Sequence, residues 1–239
     1  MKGLSIIFPC YNEVDSIERI VACIEKTLEG LNKVEIILVD NGSTDSTPLV
    51  LSQALQGKRS SQFKSLRIEK NIGYGHGIME GVRIASGEVI AWTHADMQTD
   101  PADVLKAYQT FVTHPEYPNC ILKGRRVGRN PIDALFTVGM SLISSILLSV
   151  RLSDVNAQPK MFHRRFLEKL PEPPLDFSLD LYLLYQAKIH NLKILEYPVR
   201  FGKRLYGEAK GGGGTLRGKW KLICRTWNYM IKLKHDLGR

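Results

Sequence analysis

Apolar positions along the first half of the chain fall into two alternating patterns. Leu4-Ser5-Ile6-Ile7-Phe8-Pro9 is a short run of strand type, and residues 13–30 follow with Val14, Ile17, Ile20, Val21, Ile24 and Leu28 at helical spacing. Glu35-Ile36-Ile37-Leu38-Val39 reads as a buried strand, and about Ser46 to Leu55 as a second helix. A third strand at about Leu66-Arg67-Ile68 leads through a glycine loop to a helix over residues 75–85, and the run from Gly87 ends at Trp92 as a fourth strand. Repeated β-α units predict an α/β fold with a mostly parallel central sheet and helices on both faces. Ligands of such sheets collect at the carboxyl ends of the strands. The polar residues just after each strand are therefore the candidates for chemistry.

Beyond Ile121-Leu122-Lys123-Gly124 the pattern changes. Residues 132–152 are almost entirely apolar or small, yet Asp133 and Arg151 bracket a stretch that includes Ser141, Ser144, Ser145 and Ser149. That is short and polar for a bilayer span, and it predicts a buried or membrane-interface helix. Pro171-Glu172-Pro173-Pro174 makes a rigid break before a helix at about Leu179–His190, and Gly211 to Gly214 a flexible joint before a basic C-terminal helix. The expectation is one domain over residues 1–214 followed by an amphipathic helix over 215–239.

Composition narrows the class. A length of 239 residues suits one large α/β domain, and apolar and charged fractions of 44% and 24% exclude a disordered chain. The first residues run straight into a strand with no signal-peptide pattern, which predicts a cytoplasmic protein. Cys10, Cys23, Cys120 and Cys224 lack CxxC spacing and read as reduced, mostly buried thiols. Charge is uneven: seven Lys and Arg against Asp236 in residues 215–239 carry a net +6 of the chain's +9. There Trp220, Ile223, Trp227 and Met230 or Ile231 form a helical stripe between lysines and arginines. Such a helix either lies on an anionic membrane, here the inner face, or docks its tryptophans on the domain. No recognition motif accompanies the charge, so nucleic acid is not the expected partner.

The strand ends carry the chemistry. After Trp92 come His94, Asp96 and Gln98, which share one face if the extended conformation persists. Imidazole, carboxylate and amide oxygen converging there would suit a divalent cation, the partner of a polyphosphate leaving group. Alone, the three read first as a polar strand terminus in solvent, and only the rest of the chain can raise the metal reading above that one. Asp40, ending the second strand, can accept the ring N–H of a nucleobase, while Gly42 permits a tight turn and Ser43 or Thr44 a helix cap. Pro9-Cys10-Tyr11-Asn12-Glu13 adds an aromatic face and polar groups for a base or ribose. Asn71-Ile72-Gly73-Tyr74-Gly75-His76-Gly77 has the wrong spacing for a dinucleotide fingerprint and does not follow the first strand, which argues against an NAD-dependent oxidoreductase.

Taken in order, Pro9 to Glu13, Val39 to Asp45, Asn71 to Gly73, Gly87 to Ile90, and Asp96-Met97-Gln98 with Asp100-Pro101 resemble family 2 glycosyltransferases of the GT-A fold. Within that family the chain is most similar to the dolichol-phosphate (polyprenyl-phosphate) sugar synthases, and the likeness continues through Asp154-Val155-Asn156, Pro198-Val199 and Arg204 to Lys210. The resemblance implies a UDP- or GDP-linked sugar donor, inversion at the anomeric carbon, and a lipid-phosphate or other envelope glycan acceptor. It implies a donor site of Pro9, Tyr11, Asn12, Glu13, Asp40, Asn41, Gly73 and Asp96. Mg²⁺ or Mn²⁺ would sit at Asp96 and Gln98 with His94, and Arg125, Arg126, Arg204 and Lys210 would meet phosphates. Asp96, Asp180 and Arg204 are the implied catalytic group.

Three departures from the family pattern stand out. The usual Asp-x-Asp reads His94-Ala95-Asp96, which weakens Mg²⁺ relative to Mn²⁺ or moves His94 off the metal. Asn41 replaces an Asp, and Ala157-Gln158-Pro159-Lys160 replaces a Ser-Gly-Phe type turn. The acceptor decides whether a base is required. A polyprenyl phosphate is already anionic, whereas a sugar hydroxyl needs a carboxylate within reach. Asp176 and Asp180 lie one helical turn apart, and Asp180 is either that base or, like Asp176, a charge complementing a helix N-terminus. A non-catalytic nucleotide-sugar-binding protein is the reading from another class.

Overall fold

The computed structural model describes residues 3–28, 31–57, 62–128, 131–200, 202 and 216–237. Seven strands form one sheet in the order β3-β2-β1-β4-β6-β5-β7. The strands are β1 (Leu4–Cys10), β2 (Val34–Asn41), β3 (Phe63–Ile68), β4 (Val89–Trp92), β5 (Cys120–Val127), β6 (Lys160–His163) and β7 (Lys193–Arg200). Six run the same way; β6 alone is antiparallel, between β4 and β5. Every residue of β2 is buried, as a strand covered on both faces requires.

The helices are α1 (Ile17–Thr27), α2 (Thr47–Leu55), α3 (Tyr74–Ile84), α4 (Pro101–Thr113), α5 (Pro131–Leu148), α6 (Leu179–Ile189) and α7 (Leu216–Leu237). They divide the core in two. Ile6 and Phe8 of β1 join Ile17, Ile20 and Val104 on one face of the sheet. The intervening Ile7 faces the other way, toward Ile78, Val82, Leu183 and Met230. That alternation is the two-residue period of a strand expressed as two hydrophobic layers.

The expected helix over 13–30 begins only at Ile17, because Glu13 accepts the backbone N–H groups of Ser16 and Ile17 in a turn that precedes it. The apolar segment expected over 132–152 forms α5 only as far as Leu148, before Ser149 takes φ 53°, and α5 packs on α7. No helix among the described residues is long and apolar enough to cross a membrane. The expected C-terminal stripe splits: Met230 is fully buried, while Trp227 and Ile231 are exposed. The side chains of Trp220 and Ile223, the other expected members of the stripe, lie outside the described residues. The described cysteines are free thiols, as expected.

Candidate functional site

The first two strand ends are stapled to each other. Backbone N–H of Asn12 donates to Ser43 Oγ at 3.0 Å, and Thr44 N–H donates to the Asn12 side-chain oxygen at 2.9 Å. Glu13 N–H donates to Thr47 Oγ1 at 2.9 Å. Asn12 takes φ 51°, which its short polar side chain tolerates by bonding across the gap. Pro9, Tyr11 and Glu13 remain only half-buried beside this staple.

Asp40 lies at the floor, 1% exposed. Its Oδ1 accepts the Ser43 N–H at 2.9 Å, while Arg67 Nε stands 3.9 Å from Oδ2. Oδ2 is buried with no hydrogen-bond partner among the described residues. A buried carboxylate oxygen without a donor is costly, and a ligand N–H would relieve it. Asn41 turns instead to the glycine loop, donating to the Gly73 carbonyl at 2.9 Å.

Close backbone approach explains that loop. A Cβ on Gly73, whose φ is 147°, would stand 2.1 Å from the Leu175 carbonyl oxygen, and one on Gly75 would be 2.2 Å from that of Pro174. His76 N–H donates to the same Leu175 oxygen at 2.9 Å. The glycines thus let the proline-rich segment before α6 cross directly over the glycine loop.

At the fourth strand end the extended conformation stops at Trp92. Residues 95–99 bend, and Met97 takes φ 57°, so simple alternation does not align positions 94, 96 and 98. Asp96 is 8% exposed, and its Oδ1 accepts the Gln98 N–H at 3.1 Å. Gln98 exchanges bonds with Gly202, its Nε2 donating to the Gly202 carbonyl at 3.2 Å and its carbonyl accepting the Gly202 N–H at 2.8 Å. The half-buried His94 ring lies 6.4 Å from that of Tyr74. Burial lowers its pKa, against the pull of Asp96 and Asp180, which suits a neutral imidazole ligand. No group of three His, Cys, Asp or Glu among the described residues could enclose a metal ion. A buried carboxylate with an amide, and with imidazole favouring Mn²⁺ over harder Mg²⁺, is a donor set that fits a divalent cation only if phosphate oxygens supply the other ligands.

Asp180 sits behind Asp96 in a buried network not expected from sequence. Trp92 Nε1 donates to its Oδ1 at 3.1 Å, and Gln158 Nε2 donates to its Oδ2 at 2.9 Å. Lys160 Nζ, wholly buried, is 3.6 Å from Oδ1 and donates to the Ala157 carbonyl at 2.6 Å. Burial brings the Lys160 pKa down to about 8 although Asp180 opposes it. Gln158 Nε2 also donates to Tyr74 OH at 3.1 Å. The Tyr74 ring stacks on that of Phe177 at 4.6 Å, and Arg225 of α7 covers the Phe177 ring at 5.4 Å. Sheet register explains the meeting: Trp92 pairs with Lys160, Lys160 with Lys123, and Lys123 with Glu196.

One of the expected phosphate-binding arginines, Arg126, is already engaged. Arg126 grips Asp154 through its backbone N–H and Nε, each at 2.9 Å, and through Nη2. Burial raises the Asp154 pKa, but the Arg126 contacts outweigh this and hold it below the ordinary value. Arg125 stays half-exposed, its Nε 3.8 Å from Glu196. Arg204 and Lys210, and the glycine joint 211–214, lie outside the described residues. Asp176 accepts the Ser178 N–H at 2.9 Å ahead of α6, and Arg225 Nε is 4.0 Å from it. The one legible sign of the Asp180 network was the unusual Gln158-Pro159-Lys160 segment.

Comparison with known proteins brings in the family. The profile described as "Glycosyl transferase family 2" matches residues 5–143. The chain is 27% identical over 219 residues to a dolichol-phosphate mannosyltransferase of Pyrococcus furiosus, covering 89% of this chain and 60% of that protein. It is 24% identical over 215 residues to an undecaprenyl-phosphate 4-deoxy-4-formamido-L-arabinose transferase of Salmonella choleraesuis, covering 88% and 63%. The chain therefore spans somewhat less than two thirds of these relatives. Among solved structures, glucosyl-3-phosphoglycerate synthase from Mycobacterium tuberculosis, bound to Mn²⁺, UDP and phosphoglyceric acid, superposes with TM-score 0.72. That match has 17% identity and covers 98% of this chain and 78% of the synthase. A mannosyltransferase from Pyrobaculum calidifontis with GDP-Man and Mn²⁺ gives TM-score 0.65 at 18% identity, covering 96% and 70%. At such identities these structures share the fold.

Proposed function

Because the chain belongs to glycosyl transferase family 2 and has the GT-A fold, we propose that it moves a sugar from a nucleoside-diphosphate sugar to a polyprenyl phosphate or related envelope acceptor. The observation that carries this reading is the buried Asp40 Oδ2, which has no hydrogen-bond partner among the described residues, at the strand edge that also holds Asp96. Asp40 would accept the ring N–H of a uracil or guanine, with Tyr11 beside it to stack and Asn12 and Glu13 holding the loop. Asp96, with Gln98 and His94, would hold Mn²⁺ or Mg²⁺, which neutralises charge on the departing diphosphate when bound.

Transfer is a displacement with inversion. An acceptor oxygen bonds to the anomeric carbon as the bond to the nucleoside diphosphate breaks. A phosphate acceptor arrives ionised and gives up no proton. The geometry of Asp180 favours that acceptor over a sugar hydroxyl. Both its oxygens are taken by Trp92, Lys160 and Gln158, and the residue is 2% exposed. A general base has to reach the proton that it removes. We therefore treat Asp180 as a positioning residue that fixes Gln158 and, through it, Tyr74. Arg204 and Lys210, with Arg125, remain the proposed phosphate contacts, and the enzyme would work from the cytoplasmic side of a membrane.

The test is transfer from UDP- and GDP-sugars to undecaprenyl and dolichyl phosphate with Mn²⁺. A glycolipid product that Asp180→Asn still forms is expected. Transfer only to a saccharide, abolished by Asp180→Asn, would restore Asp180 as base. Nucleotide binding without transfer to either acceptor class would favour a non-catalytic binding protein.

A further inference from the structure

The transfer reading leaves Tyr74 firmly held and gives it nothing to do. Tyr74 opens α3 directly after Gly73 and is half-buried. Its ring stacks on that of Phe177 with the planes 5° apart, and Arg225 of α7 lies over the Phe177 ring with its Nε 4.0 Å from Asp176 Oδ2. At its tip, the Tyr74 oxygen accepts from Gln158 Nε2. A ring pinned on its face and at its tip keeps one rotamer, as a group that meets a ligand in fixed geometry requires.

The phenol keeps a free donor. Gln158 cannot turn over, because its Nε2 also donates to Asp180 Oδ2 at 2.9 Å, and a reversed amide would set its carbonyl oxygen against that carboxylate. The Tyr74 oxygen therefore accepts, and its own O–H points elsewhere. No acceptor among the described residues takes that proton. Burial, with Asp180 and Asp96 nearby, pushes the Tyr74 pKa well above the ordinary value, so the proton stays in place at neutral pH.

Sheet order indicates what lies within reach. On the transfer reading the nucleoside is at Asp40, in β2, and the diphosphate at Asp96, beyond β4. The next strand past β4 is β6, whose first residue, Lys160, pairs with Trp92 at the end of β4. Gln158 thus sits one strand beyond the metal position on the same sheet edge. Tyr74, bonded to it, has its ring 6.4 Å from that of His94. In a nucleoside-diphosphate sugar, the group beyond the diphosphate is the sugar. A neutral phenol adds little to phosphates already met by a metal and arginines, and a hydroxyl oxygen suits it better.

We propose that the Tyr74 O–H donates to a hydroxyl oxygen of the transferred sugar, and that Arg225 is a positioning residue that sets the ring through Phe177. The inference rests on the transfer reading and deepens it, because a site that bonds a sugar hydroxyl discriminates against donors lacking one there.

Calorimetry of the full chain with Mn²⁺ compares UDP and GDP with UDP-glucose, UDP-galactose, UDP-N-acetylglucosamine and GDP-mannose. The proteins are wild type, Y74F, R225A, R225K and the double variant of Y74F with R225A. Y74F is expected to bind the free nucleotide within about twofold of wild type and the best-bound sugar nucleotide about fivefold more weakly, the loss of one neutral hydrogen bond. R225A should show the same selective loss, R225K less of it, and R225A should add nothing in the Y74F background. Should Y74F fail to fold in a thermal melt, R225A decides by the same comparison. Y74F that binds every sugar nucleotide as wild type does overturns the proposal. So does an equal loss on free nucleotide and sugar nucleotide, which would mark the ring as support for the glycine loop. Additive losses in the double variant overturn the role of Arg225. Wild type that binds neither UDP nor GDP overturns the transfer reading and this inference together, whereas failure of the inference alone leaves nucleotide binding intact.

Discussion

Trp92, the last residue of β4, donates its indole N–H to Asp180 in the first turn of α6 across 3.1 Å. The bond ties the strand that leads into Asp96 to the helix beneath it, and the wholly buried Lys160 completes the arrangement. Asp180→Ala leaves that lysine without its carboxylate, and stability is expected to fall by about 3–5 kcal/mol. Adding Lys160→Met to Asp180→Ala should recover part of the loss. Urea unfolding of both single variants and the double variant measures the coupling. Additive losses would contradict a pair.

Gly73 makes a second prediction. An alanine there has a strained φ of 147° and a Cβ 2.1 Å from the Leu175 carbonyl. The proline-rich segment has to move away. Gly73→Ala should cost about 1–3 kcal/mol through backbone strain and weaken donor binding, whereas Gly57→Ala, at φ 70° with open space around it, should affect stability alone. Thermal melts and nucleotide titrations of the two variants separate these effects.

Far from the site, Glu35 gathers Ser5 Oγ, Ser86 N–H and Ser86 Oγ at the opposite edge of the sheet. Burial pushes its pKa up, but the bonds from Lys64, Ser5 and Ser86 outweigh this and hold it below the ordinary value. A carboxylate whose folded-state pKa is depressed stabilises the fold above its unfolded pKa, and that contribution disappears as pH falls through the folded value. Glu35→Gln should therefore cost about 1–3 kcal/mol at neutral pH, with the gap to wild type closing in acid. A gap independent of pH would exclude ionisation as its source.

These relationships differ in how far they could be read from the chain. The first four strands and their polar ends were legible because Asp40 directly follows the apolar run Ile36 to Val39 and Asp96 comes shortly after the run that ends at Trp92, and local patterning sets both. The Asp180 network was not. Trp92, Gln158 and Lys160 look respectively like core, loop and surface residues, and only the antiparallel insertion of β6 brings them together. Four residues with a lysine first give little periodicity to recognise. At α7, helical spacing aligned Trp227, Met230 and Ile231 correctly. It carried no information about which of them would meet α5 and the core. The expectation of phosphate-binding at Arg126 overlooked Asp154, which lies 28 positions further along the chain.

The central claim is a metal-dependent nucleotide site spanning Asp40 and Asp96. Calorimetric titration of UDP and GDP into wild-type protein, Asp96→Ala and Asp40→Ala, with and without Mn²⁺, tests it most directly. One nucleotide should bind wild type only when Mn²⁺ is present. Asp96→Ala should lose that dependence together with at least about 1.4 kcal/mol, a tenfold change in affinity, and Asp40→Ala should weaken binding while keeping the dependence on Mn²⁺. Wild-type protein that binds neither nucleotide, or Asp96→Ala with unchanged affinity and metal dependence, would contradict the account.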